Sequence, residues 1–304
     1  MFGGGFGEMS DYMLHNNKEE NMGSRWSNSI ELLKSSWAVL RKNKSLMWFP
    51  IVSSIATIIL IAALALPAYF FTGVKDGHAD KVMFYVFFFI FYFIASFIVI
   101  FFNTGLIACA KEAMHGGDPT FGYGMSVAAK NIGKILGWAA ISATVGVVLK
   151  MIRERAGILG TIVSGIIAVA WNLITFFVIP VFVFQGLGVI ASIKESAALF
   201  KKTWGENMIA RFGLGIVFFL LALIGVVPIA LVVFTKSAAL IILVSAVVLV
   251  YWAALAIMSA SLTGILSMAL YEYASTGQVP AAYNPQTIAG AFAPKPAKKR
   301  FGKR

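Results

Sequence analysis

Three histidines, one cysteine and thirteen carboxylates are all the imidazole, thiol and acid groups this chain holds. His15, His78 and His115 are scattered, so no Cys/His cluster offers a metal site. Cys109 stands alone and can form no intramolecular disulfide. No G-x-S-x-G, P-loop or H-E-x-x-H occurs, and no paired carboxylates lie beside a histidine. The glycines of FGGGFG (2–7) are too few, and lack the strand, for a phosphate loop; they read as flexible chain. These residues point to no enzyme and no cofactor. Lys111-Glu112 and Glu272 fall at the ends of apolar runs, where the membrane interface is expected. The scarcity of acids inside those runs argues against an ion-coupled transporter. The polar groups that do lie deep are Asn103 and Thr104 in IFFNTG, Asn172 in AWNLITFF, and Gln185. An amide there either bonds across helices, at about 0.6–2 kcal/mol, or lines a polar cavity.

The elements that would position these amides follow from composition. Hydrophobic residues make up 59% of the chain and charged residues 12%, against about 25% charged in an ordinary soluble domain. Such an excess of apolar surface must face lipid. The expected fold is all-α, a polytopic membrane helix bundle. Six runs are long enough to cross: 47–71, 82–110, 132–149, 157–184, 208–235 and 238–271. Lys236-Ser237 separates the last two as a tight hairpin, and Pro228 helps break the run. The spans lie within a membrane domain over 25–276, after a flexible leader at 1–24 and before a basic tail at 277–304. The leader's length and the long first run do not fit a cleaved signal peptide.

Charge sets the expected orientation. Nineteen of the 25 Lys and Arg residues fall before the odd-numbered spans or in the tail. The expected topology is therefore a plasma (inner) membrane protein with both termini cytoplasmic. KMIRER at 150–155 is the discordant loop. The net charge of +12 is spread over loops and ends, so it points to anionic lipid rather than to nucleic acid.

Each approach to an odd-numbered span has one character: 25–49, 121–138 and 189–213 each hold a serine, apolar residues at helical spacing, and Lys or Arg. Ile30, Leu33, Trp37 and Leu40 share a helix face; Ile190, Ile193, Ala197 and Phe200 repeat the spacing. Arg41-Lys42, Lys130 and Lys201-Lys202 close the three copies and are the expected headgroup contacts. The pattern predicts cytoplasmic amphipathic helices lying at the interface, Trp37 and Trp204 half wet, each leading into a hairpin. A threefold hairpin repeat and the ordinary character of loops before spans both account for it.

Small residues recur every four positions. Gly157, Thr161 and Gly165 form a row, with Gly160, Ser164 and Ala168 beside it. Ala256, Ala260 and Gly264 form another, beside Ser259, Thr263 and Ser267. Such rows let backbones approach. They predict that spans four and six pack inside the bundle, or pair two copies of the chain, and that bulky spans one and two face lipid more. Pro67, Pro180 and Pro228 mark expected kinks.

SWAVLRKNKSLMWFPIVS (36–53) and VIPVFVFQGLGVIASIKESAALFKKTWGEN (178–207) resemble segments of uncharacterised prokaryotic integral membrane proteins. The pattern is similar to the six-span membrane domain attached to some glycerophosphodiester phosphodiesterases. The resemblance runs from residue 25 to about 292, and Lys194, Ser196, Trp204 and Gly205 carry its strongest part. It implies a fold and no hydrolase, since no acidic, His-bearing catalytic segment lies outside the spans. The expected role is a non-enzymatic scaffold or accessory subunit, contacting anionic lipid and a membrane protein partner or a second copy. The alternative is a transporter or pore for a small or lipid-like molecule.

Overall fold

A computed structural model of the protein describes residues 30–71, 81–155, 157–204, 213–285 and 288. The expected leader, most of the tail and the start of the fifth run lie outside these residues. So do Trp204's side chain, Gly205, and Lys202's side chain, although the helix holding Trp204 and Lys202 is described.

The protein is an all-α helix bundle. Helix α1 covers 30–42, and a 3-10 turn over Lys44–Met47 leads into α2 (Trp48–Phe71). Then come α3 (Lys81–Met114), α4 (Phe121–Lys130), α5 (Ile132–Arg155), α6 (Gly157–Ile174) and α7 (Val178–Phe184). The amphipathic α8 (Val189–Trp204), α9 (Gly213–Ile224), α10 (Val226–Val233) and α11 (Ala238–Thr276) follow. Among the described residues, five segments are long and apolar enough to cross a membrane: Lys44–Leu64, Val82–Met114, Ile132–Arg155, Gly157–Phe184 and Ala238–Thr276. Val217–Val233 is a shorter apolar stretch. The protein is a multi-pass membrane protein.

Proline explains where the helices restart. Pro50, Pro180 and Pro228 are each the third residue of their helix, α2, α7 and α10. There the missing N–H has no intrahelical acceptor to lose, so the ring is tolerated. One residue pair further on, the same ring would collide with the carbonyl of the preceding turn. The expected kink at Pro180 is thus a full break at Thr175–Phe177, and Pro228 follows a break at Gly225. Pro67 stays inside α2. The expected division at Lys236-Ser237 is present: Lys236 has φ 53°, a left-handed turn residue, and α11 begins after Ser237.

Broken helices in an apolar setting must find new partners for their backbone groups. At the α9–α10 break, Tyr251 on α11 donates its hydroxyl to the Leu221 carbonyl at 2.6 Å. Trp252 donates its indole N–H to the Ala222 carbonyl at 3.1 Å. Tyr251→Phe should therefore destabilise the protein by about 0.6–1.7 kcal/mol, the range for such bonds in membrane bundles. An unfolding midpoint in detergent that does not move would sink this account of the break.

The two ends of the bundle differ. The C-terminal parts of α3 and α11 are buried, with Leu106, Ile107, Cys109, Ile265 and Met268 at the centre. Helices α1, α4, α7 and α8 close over this packed end. At the other end the helices splay and expose apolar side chains, among them Ile58, Ile158, Phe234 and Val250. The α3 helix is central, packing on α2, α4, α5, α7 and α11. Span two is lipid-facing only in part: Val82, Met83, Val86 and Ile90 are exposed as its bulk suggested, but the stretch from Ile100 is largely buried. Its Phe93, Phe97 and Phe101 pack against the Trp138 and Phe182 cluster. Span four divides: in α6, Ile158 and Leu159 are 83% and 72% exposed, whereas Val178, Val181 and Phe182 of α7 are buried in the bundle as expected. Small residues permit close packing but do not require it.

The faces of α1 and α8 are rotated from the expected stripe. The side turned into the bundle is Leu32, Ser36, Val39 and Leu40 on α1, and Ser192, Ser196 and Leu199 on α8. Ile30, Trp37 and Ile190 are exposed. Serines can face inward because their hydroxyls bond backbone carbonyls: Ser36 donates to Leu32, and Ser192 to Gly188. The two helices correspond at a constant shift of 160 positions, Ser36 to Ser196 and Arg41-Lys42 to Lys201-Lys202. Their buried serines correspond too.

Candidate functional site

The packed end gathers the basic residues. Lys34, Arg41 and Lys42 on α1, Lys130 on α4, and Lys194 and Lys201 on α8 are exposed. Two other lysines counted for topology are engaged within the fold. Lys134 donates to the carbonyls of Phe182 and Gly186, at 2.9 and 3.0 Å, and so caps the C-terminus of α7. Lys111 holds its ammonium 4.2 Å from the centre of the Phe184 ring. At the splayed end KMIRER, expected as a loop, forms the last turns of α5, where Lys150 lies over Phe88 and pairs with Glu154 at 3.4 Å. Tyr85 donates to the same carboxylate at 2.6 Å. Glu154 thus offsets one of the three basic residues of KMIRER, and Arg153 and Arg155 are exposed.

Below the platform, α3 separates two clefts. One, about 360 Å³, lies among α2, α3 and α11, with Ser53, Asn103, Thr263 and Gly264 in its lining. The other, about 510 Å³, lies among α3, α5 and α6, with Ser96, Trp138, Ser142 and Asn172 in its lining. Val99 borders both. Trp138 and Trp171 stack at 5.7 Å along the second. Asn103 is half-buried and Asn172 is exposed into its cleft. Among the described residues neither amide bonds to another helix, and each lines a cleft whose walls are mostly apolar rather than a polar cavity. Gln185 lies apart, in the segment after α7, and donates to the Tyr271 hydroxyl at 3.2 Å.

The small-residue rows divide. Gly157, Thr161 and Gly165 face outward, and a methyl group added at Gly157 or Gly165 would meet nothing within 4 Å. The neighbouring Gly160 and Ser164 are the buried pair on α6. Of the α11 row, Ala256 and Ala260 are exposed, and Gly264 is the close contact. A Cβ on Gly264 would lie 2.5 Å from Leu106 of α3. Within one chain, packing rests on Gly264 and on the row beside Gly157, because the exposed row turns away from α5.

The α6–α7 break is held from outside. Ser196 of α8 donates its hydroxyl to the Ile174 carbonyl at 2.7 Å and accepts the Phe177 N–H at 3.0 Å. One buried side chain thus serves both sides of the interruption. At the corresponding position, Ser36 already gives its proton to Leu32, so Tyr283 must donate to Ser36, at 2.8 Å. Burial pushes the Tyr283 phenol far above its ordinary titration range, which keeps that proton in place.

Sequence reasoning named Ser196 only for the resemblance, Lys134 only for its charge and Glu272 only as an interface residue; the contacts they make were not foreseen. Glu272 was expected at the interface, yet it is buried and only 7% exposed, because α11 carries it into the packed end. A signal was present in TGLIACAKE (104–112) and TGILSMALYE (263–272), where Thr-Gly is followed by a glutamate at nearly the same distance. Gly105 and Gly264 are both close-contact glycines, and the two glutamates lie near the C-terminal ends of α3 and α11. Among the described residues no three His, Cys, Asp or Glu side chains converge.

No curated protein and no solved structure matches the chain. The profile of a family of unknown function, DUF6159, matches residues 82–281, from α3 to the segment beyond α11. That is well over half of the 304 residues, and the chain belongs to this family.

Proposed function

We propose that the protein is a non-enzymatic scaffold of the plasma membrane, with six spans and both termini cytoplasmic. The α9–α10 segment is the fifth crossing in this reading, as in the membrane domains of glycerophosphodiester phosphodiesterases that the sequence resembles. Its packed end would gather anionic lipid and present a surface to a membrane protein partner or a second copy. One observation carries the reading: exposed Arg41, Lys130 and Lys201 close three helices over the same end of the bundle. Each such charge near an anionic leaflet contributes about 1 kcal/mol.

The test is lipid retention through purification from mixed phosphatidylglycerol and phosphatidylcholine bilayers. Arg41→Glu/Lys201→Glu should cut the anionic lipid retained about tenfold or more and leave the neutral lipid unchanged. Equal retention by the variant and the native chain would remove the basis for the scaffold. A second reading, a carrier for a lipid-like molecule, is favoured by the unbonded Asn172 amide on the larger cleft. Lipid flux in the same vesicles, abolished by Asn172→Leu with folding retained, would replace the scaffold by the carrier.

A further inference from the structure

Glu272 is the buried acid that an apolar fold should avoid. Its Oε1 lies 2.9 Å from His115 Nε2, and its Oε2 is buried without a hydrogen-bond partner. His115 stands in the turn just after α3, with Nδ1 2.8 Å from the Lys111 carbonyl. A carbonyl only accepts, so that nitrogen must carry a hydrogen. A neutral ring would then aim the bare lone pair of Nε2 at a carboxylate oxygen. Two acceptors do not rest 2.9 Å apart. One more proton has to lie between them, either on Nε2 or on Glu272.

We propose that His115 and Glu272 form a one-proton binding site that latches the end of α3 to the end of α11. With the proton bound, the ring makes both contacts at once. Without it, one contact must go. Either the ring moves its remaining hydrogen to Nε2 and gives up Lys111, or it keeps Lys111 and turns from Glu272. Losing the proton thus costs one of the two contacts, and the join of α3 to α11 is tightest with the proton bound. The His115 side chain is 52% exposed, so its proton exchanges with solvent. Gly116, at φ +87°, gives the turn a conformation a side chain would resist.

The neighbouring charges are directed elsewhere. Lys111 lies over Phe184. Glu112 rests within reach of Gly117 and acts on Tyr123 of α4. Glu195 of α8 acts on Tyr271, one residue before Glu272. Asp118 follows in the loop to α4. Among the described residues, His115 is the ion-pair partner that Glu272 has.

The experiment uses the full chain in lipid nanodiscs with nitrogen-15 histidine. Its three imidazoles are told apart with His115→Gln. At pH 6, the His115 ring should carry hydrogen on both nitrogens, or on Nδ1 with Nε2 bonded to a protonated acid. Between pH 6 and 8.5, protection of the Gly117 and Gly277 amides should fall about tenfold after correction for the intrinsic exchange rate. His115→Gln, which donates without titrating, should make that protection independent of pH. Glu272→Gln should do the same if the first variant folds poorly. A native ring carrying hydrogen only on Nε2 at pH 6, or native protection that ignores pH, overturns the proposal.

Discussion

Gly124→Ala is expected to destabilise the protein by about 3 kcal/mol, at the upper end for overpacking a close-packed site. A Cβ there would lie 2.4 Å from Phe49 Cζ, 2.7 Å from the Gly105 carbonyl oxygen and 2.8 Å from Cys109 Sγ. Phe49 cannot swing aside, since it is fully buried and packed on the tilted ring of Phe121, with ring centres 4.7 Å apart. The Gly105 oxygen belongs to α3 itself, so relief requires the α3–α4 crossing to open. Gly165→Ala is the matched control. Nothing lies within 4 Å of its added methyl, and alanine's helix propensity should leave it neutral or stabilised by up to about 1 kcal/mol. Thermal unfolding in detergent, followed by loss of the monodisperse peak, separates the two. Equal midpoints for Gly124→Ala and Gly165→Ala would show that the α3–α4 contact is not a tight one.

Ser196→Ala carries the second large effect, about 2–4 kcal/mol. The hydroxyl is buried and serves two backbone groups, the Ile174 carbonyl and the Phe177 N–H. Each buried group deprived of a partner costs about 1–3 kcal/mol. Ser192→Ala is the contrast, because that hydroxyl bonds only its own N-terminal turn, at the Gly188 and Leu187 carbonyls. It should cost less than about 1 kcal/mol. Amide exchange in 174–178 should rise with Ser196→Ala and stay unchanged with Ser192→Ala. Matching losses for both serines would mean that α8 is held by its general fit and not by this bond.

The readable part of this fold was the part governed by length and hydropathy. An apolar run of about 20 residues has one fate, and the runs, the Lys236 hairpin and the amphipathic approaches all follow from that. Side choice was less readable. In water the apolar stripe of α1 would face inward. Beside a bilayer, apolar and small polar faces compete for the protein interior, and Ser36 and Ser196 won it by bonding carbonyls. Likewise, the Gly157 row and the Gly160 row are alike in sequence, and only the position of α5 chooses between them. Asn103 and Asn172 were legible as deep amides, while the clefts they border depend on how α3 sits between its neighbours. The His115–Glu272 pair joins two chain segments more than 150 positions apart, beyond the reach of any local pattern.

The bond between Ser36 and Tyr283 spans 247 positions. At a synthesis rate of roughly 5–20 residues per second, α1 leaves the ribosome on the order of tens of seconds before Tyr283 exists. Early in that interval Leu32, Val39 and Leu40 lack the parts of α3, α7 and α11 that share their core. An amphipathic segment with flanking basic residues can lie on the membrane surface meanwhile. The affinity of α1 for lipid then acts as a waiting place in assembly, held until the last helix arrives and the packed end closes.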